Sequence, residues 1–161
     1  MARLFEHTSR TKPHWCGITI DPHHRRLDEC VSRHLQTFGR AIIIDCHSFP
    51  STPLPYELVQ DPRPPDICIG TDAFHTPRWL SEILISAFES LGYRVSVDTP
   101  FAGTIVPASF FNRSDRVLSV MIEIRRDLYM DEKTGERPVV LADNWSNWLL
   151  HTLFDQLCVI E

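Results

Sequence analysis

Apolar positions recur at helical spacing in two segments of the chain, and each segment has the start and stop signals of a helix. The first helix is predicted to begin at an N-cap, Asp21, followed by a proline, and to end at Gly39. The second is predicted to run from a cap at Thr76, again followed by a proline, to Gly92. The core-facing positions are Leu27, Val31, Leu35 and Phe38 in the first helix, and Leu80, Ile83, Leu84, Ala87, Phe88 and Leu91 in the second.

Four short apolar or alternating runs predict strands that alternate with these helices. They cover residues 42–44, 66–70, 93–97 and 117–124. Because strands and helices alternate, the pattern indicates an α/β fold with a mixed or mostly parallel central sheet flanked by helices. A C-terminal amphipathic helix is predicted from the spacing of Trp145, Trp148, Leu149, Thr152 and Leu153.

A proline-rich segment separates the first two predicted strands. Residues 49–66 hold six of the twelve prolines, which predicts a long ordered loop. Loops of this length inside a compact domain are usually functional. We therefore expect this segment to do more than connect two strands.

The size and composition of the chain are those of one globular domain. It has 161 residues, of which 43% are hydrophobic and 23% charged. The formal net charge of −5 and the pI near 5.9 give no electrostatic basis for binding nucleic acid or an anionic membrane. No apolar run approaches the roughly 18 residues that a membrane span needs. The N-terminus lacks the layout of a secretory signal.

The five cysteines are scattered along the chain, and no two have the C-x-x-C spacing of a zinc knuckle or a redox site. Cys46 and Cys68 fall in apolar strand candidates, so we expect both to be small core residues. This usage of cysteine favours a reducing compartment, and we expect a cytoplasmic protein.

Polar side chains near the ends of two predicted strands could carry chemistry. His47 follows the first strand, where open α/β sheets bind ligands, although it could equally cap the strand. Asp45 lies two residues earlier, on the same side of a strand, and could orient the imidazole or be an ordinary loop-end acid. Glu123 stands between isoleucines, where a carboxylate is suited to proton transfer with water and a leaving amine. Its alternative role is an ion pair with Arg125, Arg126 or another cation.

Three segments are distinctive when their order and spacing are taken together. They read IIDCHS at 43–48, TPFAGTIVP at 99–107 and SVMIEIRRDLYMDE at 119–132. With the capped helix before the first of them, they resemble the N-formylglutamate amidohydrolase family, from about residue 20 onward. The resemblance implies a zinc-dependent hydrolase with a fold similar to that of zinc carboxypeptidases. Its substrate would be a small N-acyl amino acid such as N-formylglutamate, from which the formyl group is removed.

The resemblance also implies the catalytic residues. By position, His47 would be a zinc ligand, with Asp45 and Ser48 supporting it. Bound zinc lowers the pKa of its water to about 7 and polarises the formyl carbonyl. Glu123 would accept the proton of the water and return it to the departing amine.

Substrate contacts follow from the same segments. Arg125 and Arg126 are the candidates to hold a substrate carboxylate, since a guanidinium can bind it bidentately. Adjacent strand residues face opposite ways, so at least one of the two is expected to be a surface or structural charge. Gly103 and Thr104 would shape the pocket wall, or would be simply a turn glycine beside a strand threonine.

The resemblance covers only the later part of the family. A catalytic zinc normally has three protein ligands, and the other two in this family lie upstream of the segment that holds His47. The chain does not contain that region, so we expect one N-terminally incomplete domain over residues 1–161 with an incomplete zinc site. His24 and Asp28, four apart on the first helix, could share a metal-binding face or form a solvated pair.

Two functional hypotheses remain. In the first, the chain is an enzyme that completes its metal site with other residues or with a partner chain. In the second, it is a truncated or degenerate member without activity that acts as a structural or interaction protein. A second copy or a partner could then cover the exposed sheet edge. A cysteine hydrolase built on Cys46 beside His47 is geometrically poor, because neighbouring strand residues face opposite sides.

Overall fold

The computed structural model describes residues 20–56 and 58–136, and the helix predicted around Trp145 lies outside them. Helices and strands alternate over most of this part, as the α/β pattern predicts. No helix within it is long and apolar enough to cross a membrane. The elements in chain order are α1 (Asp21–Phe38), β1 (Ala41–Phe49), β2 (Ile67–Gly70), α2 (Arg78–Ser90), β3 (Val95–Val97), β4 (Val117–Arg125) and a short 3-10 helix (Arg126–Leu128).

The four strands form one mixed sheet in the order β1-β4-β2-β3. β4 lies in the interior of this sheet, parallel to β1 on one side and antiparallel to β2 on the other. β2 and β3 are parallel. The predicted α/β fold with a mixed central sheet is therefore confirmed. Within the described part, the outer edge of β1 has no strand beside it.

The two helices cover opposite faces of the sheet. α2 contributes Leu80, Leu84 and Phe88 to a core whose sheet members are Ile67, Ile69, Leu118, Val120 and Ile122. α1 packs through Val31 on Ala41 and Val117, at the beginning of β1 and β4. Side chains alternate along a strand, so the rest of that second face, toward the carboxyl ends of β1 and β4, carries Asp45, His47 and Glu123 beside the buried Met121 and Phe49.

The ends of α1 agree with the sequence at one terminus only. Asp21 is the first helical residue and not the predicted N-cap, which is Ile20 with no side-chain capping bond. An aspartate in the first turn still interacts favourably with the helix dipole. Gly39 ends the helix as predicted, in the left-handed conformation (φ 73°). Phe38 was predicted to face the core but is 72% exposed, because it is the last helical residue and lies beyond the packed turns.

The start of α2 also differs from its prediction. Thr76 makes no capping bond; Pro77 is the N-cap. The Thr76 hydroxyl instead donates to the Ser119 carbonyl (2.6 Å) and accepts from the Asp72 amide (2.9 Å), which joins the helix entry to β4. Gly92 follows the helix as predicted, with φ 85°, and its amide donates to the Glu89 carbonyl.

Two strands differ in length from the predicted runs. β1 continues to Phe49, because each of its nine residues has a partner in β4, so His47 lies within the strand and not after it. β3 begins at Val95, since the Tyr93 amide donates to the Phe88 carbonyl and belongs to the turn after α2. The described residues from 50 to 66 form a loop, as the prolines predict, while residue 49 of the predicted segment belongs to β1.

Candidate functional site

His47, Glu123 and Cys68 lie in one row across three strands. The register pairs His47 of β1 with Glu123 of β4, and Glu123 with Cys68 of β2. Paired residues of neighbouring strands project from the same face, so the imidazole and the carboxylate are neighbours near the carboxyl ends of β1 and β4. The face is the one that α1 leaves uncovered at this end. The structure therefore brings together the two residues that the resemblance singles out.

Asp45 holds the His47 ring. Its Oδ1 lies 2.8 Å from His47 Nε2, and its Oδ2 accepts the Ile105 amide at 3.2 Å. A carboxylate only accepts hydrogen bonds, so the neutral ring carries its proton on Nε2 and leaves the lone pair on Nδ1. The predicted pairing of Asp45 with the imidazole is thus present in the structure. The His47 side chain is 52% exposed, so solvent reaches it.

Glu123 is the most unusual charged group of the described part. The residue is 8% exposed, and its Oε2 is buried with no hydrogen-bond partner among the described atoms. Burial raises the pKa of this carboxyl, and the Asp45 carboxylate adds to the rise while His47 and Arg126 oppose it. A buried polar atom without a partner is costly, so the position is explained best by a ligand or a reacting group that meets it.

The segment from Phe101 to Ile105 crosses this face of the sheet at Gly70. A Cβ on Gly70 would overlap the Gly103 carbonyl oxygen and the Met121 side chain, so only glycine fits beneath the segment. The Cys68 thiol donates to the Phe101 carbonyl (3.2 Å). The segment forms one wall of the site, and it includes the predicted pocket residue Gly103.

Thr104, the second predicted pocket residue, is bonded inward. Its hydroxyl lies 2.7 Å from the Ser119 hydroxyl, which donates to the Ile105 carbonyl at 2.7 Å. Ser119 is fully buried in β4. Sequence analysis did not single out this serine, although a lone hydroxyl in an otherwise apolar strand is a signal that could have done so.

The two neighbouring arginines have different surroundings. The Arg125 guanidinium pairs with Asp66 and Asp127, both at 2.6 Å, and also donates to the Pro64 and Pro65 carbonyls. Burial opposes the charge of Arg125, but the bonds to Asp127 and the charge of Asp66 raise its pKa above the ordinary value. These contacts occupy Arg125 and tie the proline-rich loop to β4, which is a structural role.

Arg126 is held less firmly than its neighbour. Its guanidinium donates to the Ser48 hydroxyl and carbonyl at 3.4 and 3.3 Å. Ser48 lies on the sheet face opposite to His47, because successive strand residues alternate. The expected support of His47 by Ser48 is therefore not present; Ser48 contacts Arg126 instead.

Cys46 does not meet the expectations placed on it. It is exposed, whereas Cys68 is buried as predicted. Desolvation of the thiol raises the pKa of Cys46, and the Asp45 carboxylate raises it further, so the thiolate is disfavoured. Its side chain also faces away from the row of His47 and Glu123. These features agree with the view that a cysteine nucleophile here is geometrically poor.

His75, which precedes α2, has a structural role. It is fully buried; its Nδ1–H donates to the Val117 carbonyl (2.7 Å) and its Nε2 accepts the Asn112 amide (2.9 Å). Both ring nitrogens are occupied, so neither can bind a metal. The ring also stacks on Phe111.

The described residues do not complete a metal site. No group of three or more histidine, cysteine, aspartate or glutamate side chains is placed to hold a metal ion within residues 20–56 and 58–136. Asp28 accepts hydrogen bonds from the Ser32 and Ser109 hydroxyls and lies with His24 in an open groove along α1. That groove adds no third ligand to His47. The donor set of the described residues therefore does not by itself fit a catalytic zinc ion.

The proline-rich loop borders the same face of the sheet. It lines a cleft with an empty volume of about 320 Å³, together with Phe49 and the segment at Thr99-Pro100. Phe49 lies two residues after His47 in β1, and its ring packs on Phe101 at 5.5 Å between centroids. The loop is thus part of the surroundings of the site, in line with the expectation that it is more than a connection.

Comparison with known proteins points to one family. Residues 18–130 match the family model described as N-formylglutamate amidohydrolase. No curated protein sequence matches the chain. A crystal structure of N-formylglutamate amidohydrolase from Ralstonia eutropha superposes with a TM-score of 0.74 and 30% identity, over 89% of this chain and 52% of that one.

A second solved structure supports the fold. It is a gene product of Agrobacterium tumefaciens that matches with a TM-score of 0.53 and 24% identity, over 87% of this chain and 50% of that one. The chain thus spans about half the length of each of these two structures.

Proposed function

Because the chain belongs to the N-formylglutamate amidohydrolase family, we propose that it carries the proton-transfer half of a hydrolytic centre for N-formyl amino acids. The observation that supports this most directly is Glu123, buried with an unpartnered Oε2 beside His47. The family is one of hydrolases that act on an amide bond, and the row of His47 and Glu123 supplies groups that such a reaction uses.

Glu123 is suited to act as the general base. Burial raises the pKa of Glu123, which makes its carboxylate a stronger proton acceptor than an exposed glutamate. In the proposed reaction it takes a proton from water as the water oxygen bonds to the formyl carbon. It then returns that proton to the nitrogen as the C–N bond breaks, which yields formate and a free amino acid.

Zinc dependence is part of the proposal, but the described residues do not provide for it alone. His47, whose Nε2 is bonded to Asp45 and whose Nδ1 has no hydrogen-bond partner among the described residues, is the residue that would bind the ion. A catalytic zinc usually has three protein ligands, so the other two must come from outside the described residues or from another chain. The proton steps at Glu123 are argued from this chain's own atoms and do not depend on how the site is completed.

Arg126 is the better candidate to contact a substrate carboxylate. The Arg125 guanidinium is occupied by Asp66 and Asp127, whereas among the described residues Arg126 makes only long bonds to Ser48. The charge of Arg126 also acts on the Glu123 carboxyl and lowers its pKa, although Ser48 itself lies on the other face of the sheet. A guanidinium with donors to spare can bind a carboxylate. We therefore propose Arg126 as the substrate-contacting arginine, with Gly103 as part of the pocket wall.

A second candidate function is a family member without activity that serves as a structural or interaction protein. One observation favours it: no three-donor metal group exists among the described residues. In that case the edge of β1 is where a second copy or a partner could add a strand.

The test is an assay of formate release by the purified chain. N-formyl-L-glutamate and a panel of other N-formyl amino acids are offered with added zinc or with a chelator, and bound zinc is measured on the same samples. We expect zinc-dependent formate release that is lost in His47→Ala. The control is His34→Ala, which removes an exposed histidine of α1 bonded only locally to the Cys30 carbonyl. Absence of both zinc binding and formate release would contradict the enzyme hypothesis and favour the second candidate.

A further inference from the structure

A continuous set of hydrogen bonds leads from the interior of β4 to the ring of His47. The Ser119 hydroxyl contacts the Thr104 hydroxyl and the Ile105 carbonyl, both at 2.7 Å. The Ile105 amide reaches Asp45 at 3.2 Å, and Asp45 reaches His47 at 2.8 Å. Each step joins neighbouring groups, so the orientation of the imidazole is connected to a serine that is two rows away along the sheet.

The direction of these bonds follows from the inventory of donors. A serine hydroxyl has one hydrogen, and the Ile105 carbonyl can only accept, so that hydrogen lies on the bond from Ser119 to Ile105. The Thr104 hydroxyl must then donate to Ser119. Ile105 is held on both sides: its carbonyl, in the peptide to Val106, accepts from Ser119, and its amide, in the peptide from Thr104, donates to Asp45. The position of that amide therefore depends on the serine.

Ser119 is itself fixed from the other side. Its amide donates to the His75 carbonyl (2.9 Å), and its carbonyl accepts the Thr76 hydroxyl (2.6 Å). β2 pairs with β4 only over residues 121–124, so the loop before α2 takes over these backbone bonds. The serine is fully buried and cannot turn its hydroxyl toward solvent.

We infer that Ser119 is a positioning residue for the candidate site. It holds the Thr104 side chain and the Ile105 carbonyl, and so fixes the position of the Ile105 amide that donates to Asp45. Asp45 in turn keeps the His47 proton on Nε2. The function of Ser119 is thus to keep the proton on Nε2 of His47, so that the lone pair on Nδ1 stays available. The inference rests on the proposed function only in taking His47 as the functional histidine.

The test is the tautomer of His47 in the metal-free protein, read from the ring ¹⁵N resonances at about pH 8.5, where imidazoles are neutral. In the wild type we expect the Nε2–H form. In Ser119→Ala the Ile105 carbonyl loses its partner, and the Ile105 amide is held less firmly against Asp45. We therefore expect a mixture with a clear rise of the Nδ1–H form. Exchange of the Ile105 amide should also accelerate, by about tenfold if the bond to Asp45 is weakened by the usual amount.

The test includes a matched control, Ser90→Ala, and a second variant, Thr104→Val. Ser90→Ala removes an exposed hydroxyl that donates only to the nearby Ala87 carbonyl, and it should leave the His47 spectrum unchanged. Thr104→Val removes one of the two side-chain contacts of the Ser119 hydroxyl without changing β4, so it should give a smaller rise of the Nδ1–H form. If Ser119→Ala does not fold, an unchanged tautomer in Thr104→Val would overturn the inference. An unchanged tautomer in a folded Ser119→Ala protein would do the same. The measurement needs neither zinc nor substrate, so a failure of the assay of formate release would not be confused with it.

Discussion

The buried carboxylate of Glu123 lowers the stability of the folded protein, and it is also the proposed proton acceptor. The group has lost most of its hydration, and one oxygen has no partner among the described atoms. Burial raises its pKa because the charged form is the one that needs water. Sites with such groups give up stability for function, and removing the charge commonly restores some of it.

Glu123→Gln should therefore stabilise the protein, and more so at higher pH. A carboxyl whose folded pKa is raised favours folding while it is protonated and loses that contribution as the pH rises through the folded pKa. The wild type should therefore become less stable than the variant as the pH rises from acid to neutral. Thermal unfolding at pH 5 and pH 8 measures this, and we expect the variant to gain a few degrees at pH 8 and less at pH 5. An equal difference at both pH values would contradict the burial of a charged group.

The pair of Asp66 and Arg125 has the opposite pH dependence. Burial opposes the charge on Asp66, but the Arg94 amide and the Arg125 and Arg94 guanidinium groups outweigh it and lower its pKa. A lowered folded pKa means that the stabilisation is present above about pH 4, the unfolded value, and is lost as the pH falls through the folded pKa.

Asp66→Asn should cost about 2 to 3 kcal/mol at neutral pH, because it leaves a mostly buried guanidinium with one fewer partner. The control is Glu82→Gln, which breaks the exposed pair of α2 with Arg78 and should cost less than about 0.5 kcal/mol. Denaturant unfolding of the three proteins compares the two costs. Equal losses would show that the Asp66 pair is not the tie between the loop and β4.

Some contacts between residues of the site could be predicted from the sequence, and others could not. Asp45 and His47 are two apart, and the alternation of a strand places them on one side, so their pairing could be predicted. The bond between Ser119 and Thr104 joins residues on different elements, and no local period predicts it. The Arg125 pairing with Asp66 is likewise a product of the sheet register, which sequence reasoning did not reach.

At the scale of elements, β4 and the segment that crosses it determine the site. β4 supplies Glu123 and Ser119 and pairs with both β1 and β2. The crossing segment lies against β2 at Gly70, where the two backbones approach so closely that no side chain fits. This close approach is what brings the Ile105 amide within reach of Asp45.

Gly70→Ala should displace the crossing segment and cost about 3 kcal/mol, since the added methyl meets backbone atoms that cannot yield easily. The control is Gly92→Ala, at a left-handed turn with open space around the Cβ, where only the conformational cost of about 1 kcal/mol is expected. Denaturant unfolding gives both values, and the His47 ring resonances should shift in the first variant only. A Gly70→Ala protein as stable as wild type would contradict the close approach.

The elements themselves could be largely predicted, while their ends could not. Periodicity located both helices and all four strands of the described part. The N-caps were wrong at Asp21 and Thr76, because the favoured side chains are used elsewhere or lie one residue inside the helix. β1 is longer than its apolar run because pairing with β4, and not hydrophobicity, fixes its end at Phe49.

At the scale of the whole described structure, the two faces of the sheet have different roles. α2 and the apolar rows form the core on one face, while the other carries α1 at one end and the polar row at the other. The chain spans about half the length of the solved structures it resembles. The described residues supply His47 and Glu123 but no group of three side chains that could hold a metal ion. The family could be named from three sequence segments, while the incomplete zinc site that the resemblance implies stays a prediction.

The central claim is that Glu123 moves the proton in amide hydrolysis, and formate release by Glu123→Gln tests it most directly. The variant keeps the size and the buried setting of the side chain but cannot accept a proton. With N-formyl-L-glutamate and zinc, we expect kcat/KM to fall about 10²- to 10⁴-fold relative to the wild type, with the fold intact by circular dichroism. A variant that keeps activity within about threefold of the wild type would contradict the claim.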